Sequence, residues 1–186
     1  MLGQEKIDKK TNEIPVFQEM LTYLNVKEKF ITADVLHCQR ETCSRIVKKK
    51  GGYVFGLKEN QKTLLEDIAL FFEELPPDTE IETYETKEKN GGRQEVRVCR
   101  KADAAWLKKR HNWPGLRSIL QVERIVQKGK RKTREIGYYI SSSTASAEKH
   151  LTVVREHWKI ESLHWMLDVV FSEDASRFIQ RMPISH

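Results

Sequence analysis

The sequence predicts an α/β fold in which helices flank a mixed β-sheet and an antiparallel β segment precedes a last long helix. Two observations lead to this prediction. Strand-like and helix-like apolar runs alternate over the first 75 residues, as expected for a sheet with parallel strands. From residue 76 to residue 145 the pattern becomes β-rich, and residues 147–170 then contain neither Pro nor Gly.

The first part alternates between the two kinds of element. Pro15 is allowed in the first turn of a helix, and Gly51-Gly52 ends a later one. The predicted elements are a strand at 1–7, a helix at 13–25, a strand at 29–33, a helix at 39–50, a strand at 53–58 and a helix that opens at Asn60-Gln61.

The β-rich part begins after Pro76-Pro77 and contains two hairpin signals, at Asn90-Gly91-Gly92 and at Lys128-Gly129-Lys130. We expect these hairpins to pack as a separate antiparallel layer. The predicted strands are 80–87, 93–101, 117–126 and 135–142. The predicted domain division is a core at 1–75, an insertion at 76–145, a final helix at 146–176 and a divergent tail at 177–186.

Asp34 is the first candidate functional residue, because it ends a short predicted strand. In open α/β sheets, ligands collect at the carboxyl ends of the strands. An Asp in this position also serves as a helix cap, and taken alone the cap is the better interpretation.

Glu161 is the second candidate, on the long helix for which Ser146 is a plausible N-cap. The helical period places Glu161 on the same side as Trp158 and Trp165, while Arg155 and Lys159 lie on a polar side. A carboxylate on an inward face needs a partner. Both a buried ion pair and a metal or acid–base role fit this position, and position alone favours the ion pair.

The composition indicates a globular protein of a reducing compartment, so a cytoplasmic location is expected. Among 186 residues, 39% are hydrophobic and 32% charged, and no run of the sequence suggests a membrane span or a signal peptide. Three Cys make no paired framework, and without a Cys-x-x-Cys knuckle a zinc site from His37, Cys38, Cys43 and Cys99 is disfavoured.

The charge distribution is compatible with a nucleic-acid partner. The net charge is +6, and the excess is concentrated in Lys48–Lys50 and in a run from Lys128 to Arg134. A solvated turn explains the second run equally well.

Four sequence blocks resemble bacterial insertion-sequence transposases of the ISAs family, which include the H-repeat-associated proteins. The resemblance covers residues 2 to about 176 in the right order. The blocks are Lys10-Thr11-Asn12-Glu13-Ile14, Ile31-Thr32-Ala33-Asp34 with His37-Cys38-Gln39, Leu57-Lys58-Glu59-Asn60-Gln61, and the long segment from His157 to Asp174.

This resemblance implies an RNase H-like catalytic core with a DDE triad that holds Mg²⁺ or Mn²⁺. Asp34 matches the second acid and Glu161 the third. The implied partner is double-stranded DNA at the nucleoid, with a possible homo-oligomer and no membrane. Lys58, Asn60 and Gln61 are expected at the rim of the cleft, where they touch phosphate or orient an acid, unless Asn60 merely caps a helix. Candidate DNA contacts also include Lys130, Arg131 and Lys132.

The first acid of the family lies in an Ile-Asp-Gly-Lys block upstream of the Lys10–Ile14 motif, and this sequence contains no such block. The residues after Ser176 also depart from the family. We therefore expect a transposase fragment that binds DNA weakly and catalyses nothing measurable alone. The alternatives are a non-catalytic DNA-binding remnant and an unrelated RNase H-like nuclease.

Overall fold

A computed structural model describes the backbone of residues 13–171 and the side chains of residues 13–159. The chain divides after Val154 into two compact units. The predicted strand at 1–7 and the tail at 177–186 lie outside the described residues. The helices are α1 (Glu13–Tyr23), α2 (Arg40–Lys48), α3 (Lys62–Glu74), α4 (Lys108–His111) and α5 (Ala147–Phe171). The strands are β1 (Phe30–Ile31), β2 (Gly52–Gly56), β3 (Glu82–Asn90), β4 (Arg93–Asp103), β5 (Ser118–Lys128) and β6 (Arg131–Ser141).

Within residues 13–171, the six strands form one sheet in the order β1-β2-β6-β5-β4-β3, which confirms the predicted mixed α/β fold. β1 runs parallel to β2, and every other pair is antiparallel. The prediction that the hairpins pack as a separate layer is wrong. They belong to the same sheet as β2, because β6 pairs with β2 through Val54↔Ser141 and Gly56↔Tyr139. β2 is a buried strand whose second edge would otherwise leave unpaired backbone groups, and β6 satisfies them.

Both predicted hairpins are present, with tight two-residue turns. Gly91 and Gly92 connect β3 to β4 with φ values of +51° and +78°, and Gly129 begins the turn between β5 and β6 with φ of +58°. These left-handed conformations suit glycine and match the twist of paired strands. The strands of the second hairpin continue for 11 residues each, so this arm extends well beyond the buried part of the sheet.

The sheet is covered on both faces at its inner end. Phe55, Ile119 and Ile140 belong to one hydrophobic core with Ile68 and Phe72 of α3. Val54, Leu120 and Val122 occupy the alternating positions and are also buried. On that second face the first turns of α5 pack against β6, where His150 hydrogen-bonds the Ser141 hydroxyl.

A short segment before β5 attaches the β-rich part to α2 and β2. The Tyr53 hydroxyl donates to the Pro114 carbonyl at 2.8 Å, and the Trp113 indole N–H contacts the Cys43 sulfur at 3.3 Å. Arg40 donates to the Asn112 carbonyl at 2.9 Å and lies over the Trp113 ring. This docking, together with the β2–β6 pairing, makes the β-rich part continuous with the α/β part.

The second unit contains the continuation of α5 from Arg155. Lys159 is exposed and pairs with Glu156 at 2.6 Å, in agreement with the predicted polar side of this helix. Among the described residues, no helix is both long and apolar enough to cross a membrane.

His150 makes folding stability sensitive to pH. Its Nδ1–H donates to the Ser146 carbonyl at 3.0 Å, and its Nε2 accepts from Ser141 at 2.9 Å. Burial lowers the pKa of His150 below its ordinary value of 6.5, so the folded state favours the neutral ring. Because the unfolded chain binds the extra proton, we expect the free energy of unfolding to fall as the pH decreases below about 6.5.

Urea unfolding at a series of pH values measures this slope. His150→Gln should flatten it, while His37, whose pKa burial also lowers, accounts for a remaining part. An identical slope in the parent chain and in His150→Gln would contradict the assignment.

Candidate functional site

Asp34 lies just beyond β1, at the carboxyl end of two parallel strands. Its side chain is exposed, and one carboxylate oxygen accepts a hydrogen bond from the Val35 amide at 2.6 Å. Asp34 thereby caps a short 3₁₀ turn, Val35–His37, whereas the N-cap of α2 is Gln39. The cap engages one oxygen, and within residues 13–159 the second oxygen has no hydrogen-bond partner, so it remains free to bind a cation.

Asn60 and Gln61 hold the turn that follows Asp34. The Asn60 side-chain amide donates to the Val35 carbonyl at 2.6 Å, and the Gln61 amide donates to the Cys38 carbonyl at 3.0 Å. Neither amide caps the 3₁₀ turn Glu59–Gln61, whose N-cap position is Lys58. The helix-capping interpretation of Asn60 therefore does not describe its hydrogen bond. Lys58 is exposed two residues after β2, at the same edge of the sheet.

Two further contacts hold the turn that follows Asp34. An added Cβ on Gly56 would lie 3.2 Å from the Val35 side chain, so the end of β2 closely approaches the Asp34 loop. The His37 ring packs on Phe17 of α1 with ring centroids 4.3 Å apart. Burial lowers the pKa of His37, against the opposing influence of Glu13 and Asp34. The loop is thus held from β2, from α1 and from the segment after β2.

Glu161 lies on the helical backbone of α5, but its side chain falls outside the described residues. The approach of Asp34 to Glu161 therefore stays a prediction. Within residues 13–159 there is no cluster of three potential metal ligands. The zinc alternative is weakened further because burial raises the pKa of Cys43 and of Cys99 to about 12, which disfavours thiolate ligands.

The chemistry of Asp34 fits a hard divalent cation. Mg²⁺ and Mn²⁺ prefer oxygen ligands and are bound in proteins through one or two carboxylates. Asp34 offers an exposed carboxylate oxygen on a loop held by Asn60 and Gln61. Further carboxylates would have to come from residues such as Glu161, whose side chain lies outside the described residues.

The outer end of the β5–β6 arm carries the second group of candidate residues. Lys130, Arg131 and Lys132 are all exposed. They do not form one surface, because Arg131 pairs with Lys128 while Lys132 pairs with Gln127, and neighbouring side chains point to opposite faces. The register places Arg93 next to Lys128, and sequence analysis missed Arg93, which lies outside the basic run. The turn signals at Gly91-Gly92 and Gly129 could have given this register.

A cavity of about 750 Å³ lies between α3 and the end of β4. Its apolar lining includes Leu70, Phe71 and Trp106, and the Phe71 and Trp106 rings stack at 4.9 Å. Its charged lining is mainly acidic, with Asp67, Glu74, Glu80 and Asp103 against Arg110. This surface repels a polyanion, so the outer end of the arm and the loop around Lys58 are the better candidates for nucleic-acid contact.

Comparison with known proteins points in one direction. A family model described as "Transposase DDE domain" matches residues 1–182. Among curated proteins, the chain is 37% identical to "Putative protein YbfL" and 36% identical to "H repeat-associated putative transposase YhhI", both of Escherichia coli K12. Each alignment covers 94% of this chain and 48% of the relative, so the chain spans about half the length of these relatives. No solved structure matches significantly.

Proposed function

Because this chain belongs to the Transposase DDE domain family, we propose that Asp34 and Glu161 are two acids of a divalent-metal site that cleaves and joins DNA strands. Asp34 carries this proposal. It is an exposed strand-end carboxylate with one oxygen free of partners among the described residues, and two side-chain amides hold its loop.

Each residue around Asp34 has a distinct part in the proposal. Asp34 and Glu161 would hold Mg²⁺ or Mn²⁺, which supplies Lewis-acid stabilisation of the attacking and leaving oxygens of phosphoryl transfer. Asn60 and Gln61 act as positioning residues, since their side-chain amides bind the loop that carries Asp34. Lys58 projects from the same edge of the sheet and provides a cation for a neighbouring DNA phosphate.

The resemblance supplies two of the three acids within these 186 residues. A site with two carboxylates holds a metal loosely, and phosphoryl transfer depends on positioned metals because the protein does little covalent chemistry itself. We therefore expect the 186-residue chain alone to bind DNA weakly and not to cleave it. The second candidate function is this non-catalytic DNA binding, which the exposed basic end of the β5–β6 arm favours.

A cleavage assay tests the proposal. An extended chain, to which an N-terminal segment with the family's Ile-Asp-Gly-Lys block is added, should nick DNA containing the transposon ends in the presence of Mg²⁺. Glu161→Gln should abolish that activity. Residues 1–186 alone should show none. Cleavage by the extended chain that survives Glu161→Gln would contradict the assignment. Homo-oligomerisation and association with the nucleoid stay predictions.

A further inference from the structure

We propose that Arg93, Lys128 and Arg131 form a phosphate-binding row across the outer end of the sheet and contact the DNA backbone from one face only. The proposal rests on the function proposed above. It selects one face of the arm, and it adds Arg93, which lies outside the basic run from Lys128 to Arg134.

The sheet register brings these three cations together. Arg93 of β4 pairs with Lys128 of β5, and Lys128 pairs with Arg131 of β6. Directly paired residues of antiparallel strands point to the same face, and adjacent strands are about 4.8 Å apart. The three side chains therefore start from one line across three strands that spans roughly 10 Å. They line a shallow cavity of about 240 Å³ together with Val126 and Thr133.

Among the described residues, two of the three cations in the row, Lys128 and Arg131, lack the counter-charges that cross-strand cations normally require. Like charges directly opposite each other destabilise a sheet. Lys128 and Arg131 are exposed, and within residues 13–159 neither has an ion-pair partner. A DNA phosphate bound over the row would supply the missing counter-charge, as it does in other Arg and Lys contacts to the DNA backbone.

The acid nearest to the row is already saturated. Glu95 lies two residues after Arg93 in β4, on the same face of the sheet. It pairs with Arg97 at 2.6 Å, with Arg124 at 2.5 Å and with Arg93 at 3.0 Å. Burial alone would raise the pKa of Glu95, but Arg124, Arg97 and Arg93 together hold it below its ordinary value. One carboxylate shared by three guanidinium groups leaves Arg93 with unused donors, since a guanidinium has five N–H groups.

The opposite face of the arm provides a matched control. Lys132 pairs with Gln127, Gln127 with Gln94, and Gln94 with Lys89. Lys89 and Lys132 thus lie on the other face, at the same outer end of the sheet, and two glutamines separate them. Both are exposed and, within residues 13–159, unpaired, as are Lys128 and Arg131. Removing either pair changes the net charge equally.

The test measures DNA affinity of the purified 186-residue chain by fluorescence anisotropy over a salt series without divalent metal. The probe is a fluorescein-labelled duplex. Lys128→Ala/Arg131→Ala should weaken binding by about tenfold or more, since each lost charged contact contributes several-fold. It should also reduce the slope of log K against log salt by about 1.8, because each phosphate contact contributes about 0.9.

Lys89→Ala/Lys132→Ala should weaken binding by less than about threefold and reduce the slope by less than about one. Equal losses of DNA affinity in the two double variants, or no loss in either, would contradict the proposed phosphate-binding row. Arg93→Ala should add to the loss, while Arg93→Lys should restore part of it.

Thermal unfolding of each variant verifies that the exposed substitutions leave the fold intact. If the double variants contradicted the phosphate-binding row, the prediction of metal-dependent cleavage by the extended chain would still stand. If the extended chain did not cleave DNA, the predicted affinities of the double variants would still stand. The two proposals can therefore be rejected separately.

Discussion

Asp34→Asn in the extended chain is expected to reduce Mg²⁺-dependent DNA cleavage by on the order of 10³-fold. Stabilisation by a metal contributes several kcal/mol to such a transition state, and each 1.36 kcal/mol corresponds to a factor of ten. Asn keeps an oxygen that can accept the Val35 N–H bond, so the cap survives and the negative charge is lost. The rate of nicking at saturating Mg²⁺ provides the measurement.

Asp103→Asn is the matched control for this change. Asp103 is also an exposed Asp at the end of a strand. Its Oδ1 accepts a hydrogen bond from the Ala105 amide at 2.6 Å, as the Asp34 carboxylate does from the Val35 amide. The control should cleave at the parent rate, because Asp103 borders the acidic cavity and not the loop around Asp34. Cleavage by Asp34→Asn within about tenfold of the parent rate would rule out the metal role.

Gly115→Ala is expected to lower the free energy of unfolding by about 2–5 kcal/mol. Gly115 has φ of +67°, and an added Cβ would lie 2.6 Å from Cγ2 of Val47 in α2. Val47 is β-branched and has one strongly preferred rotamer in a helix, so it cannot easily move aside. The substitution therefore opposes the docking of the segment before β5 onto α2, and denaturant unfolding measures the loss.

Gly129→Ala separates the backbone cost from the steric clash. Gly129 has φ of +58°, and an added Cβ there would meet no atom within 4 Å. We expect a loss of about 1–2 kcal/mol at this position, which is the cost of the left-handed conformation alone. If Gly115→Ala were no more destabilising than Gly129→Ala, the close packing between Gly115 and Val47 would not matter for stability.

Local features of the fold could be predicted because they depend on nearby residues. The helix predicted to open at Asn60-Gln61 is present as α3, and its buried residues Leu64, Ile68 and Phe72 recur at helical spacing. The turns at Gly91-Gly92 and Gly129 follow from glycine's tolerance of positive φ. These predictions required only periodicity and turn chemistry.

Features that depend on contacts distant in sequence could not be predicted in this way. Pairing of β6 with β2 joins residues about 85 positions apart, such as Val54 and Ser141, and nothing in either strand specifies the partner. The hydrogen bonds from Asn60 and Gln61 to the loop after Asp34 could not be predicted either, since both side-chain amides could have capped their own turn instead. The assignment of Asp34 and Glu161 to one site is implied by the resemblance and stays a prediction, because neither residue alone distinguishes a metal ligand from a cap or an ion pair.

Shared metal binding by Asp34 and Glu161 is the central claim, and a Mn²⁺ titration followed by electron paramagnetic resonance tests it most directly. Asp34→Asn and Glu161→Gln should each weaken Mn²⁺ binding by the 186-residue chain, and the double variant should bind no more weakly than the weaker single variant, because both acids serve one site. Asp103→Asn should leave binding unchanged. Independent, additive losses from the two substitutions, or parent-like binding by Asp34→Asn, would contradict the account.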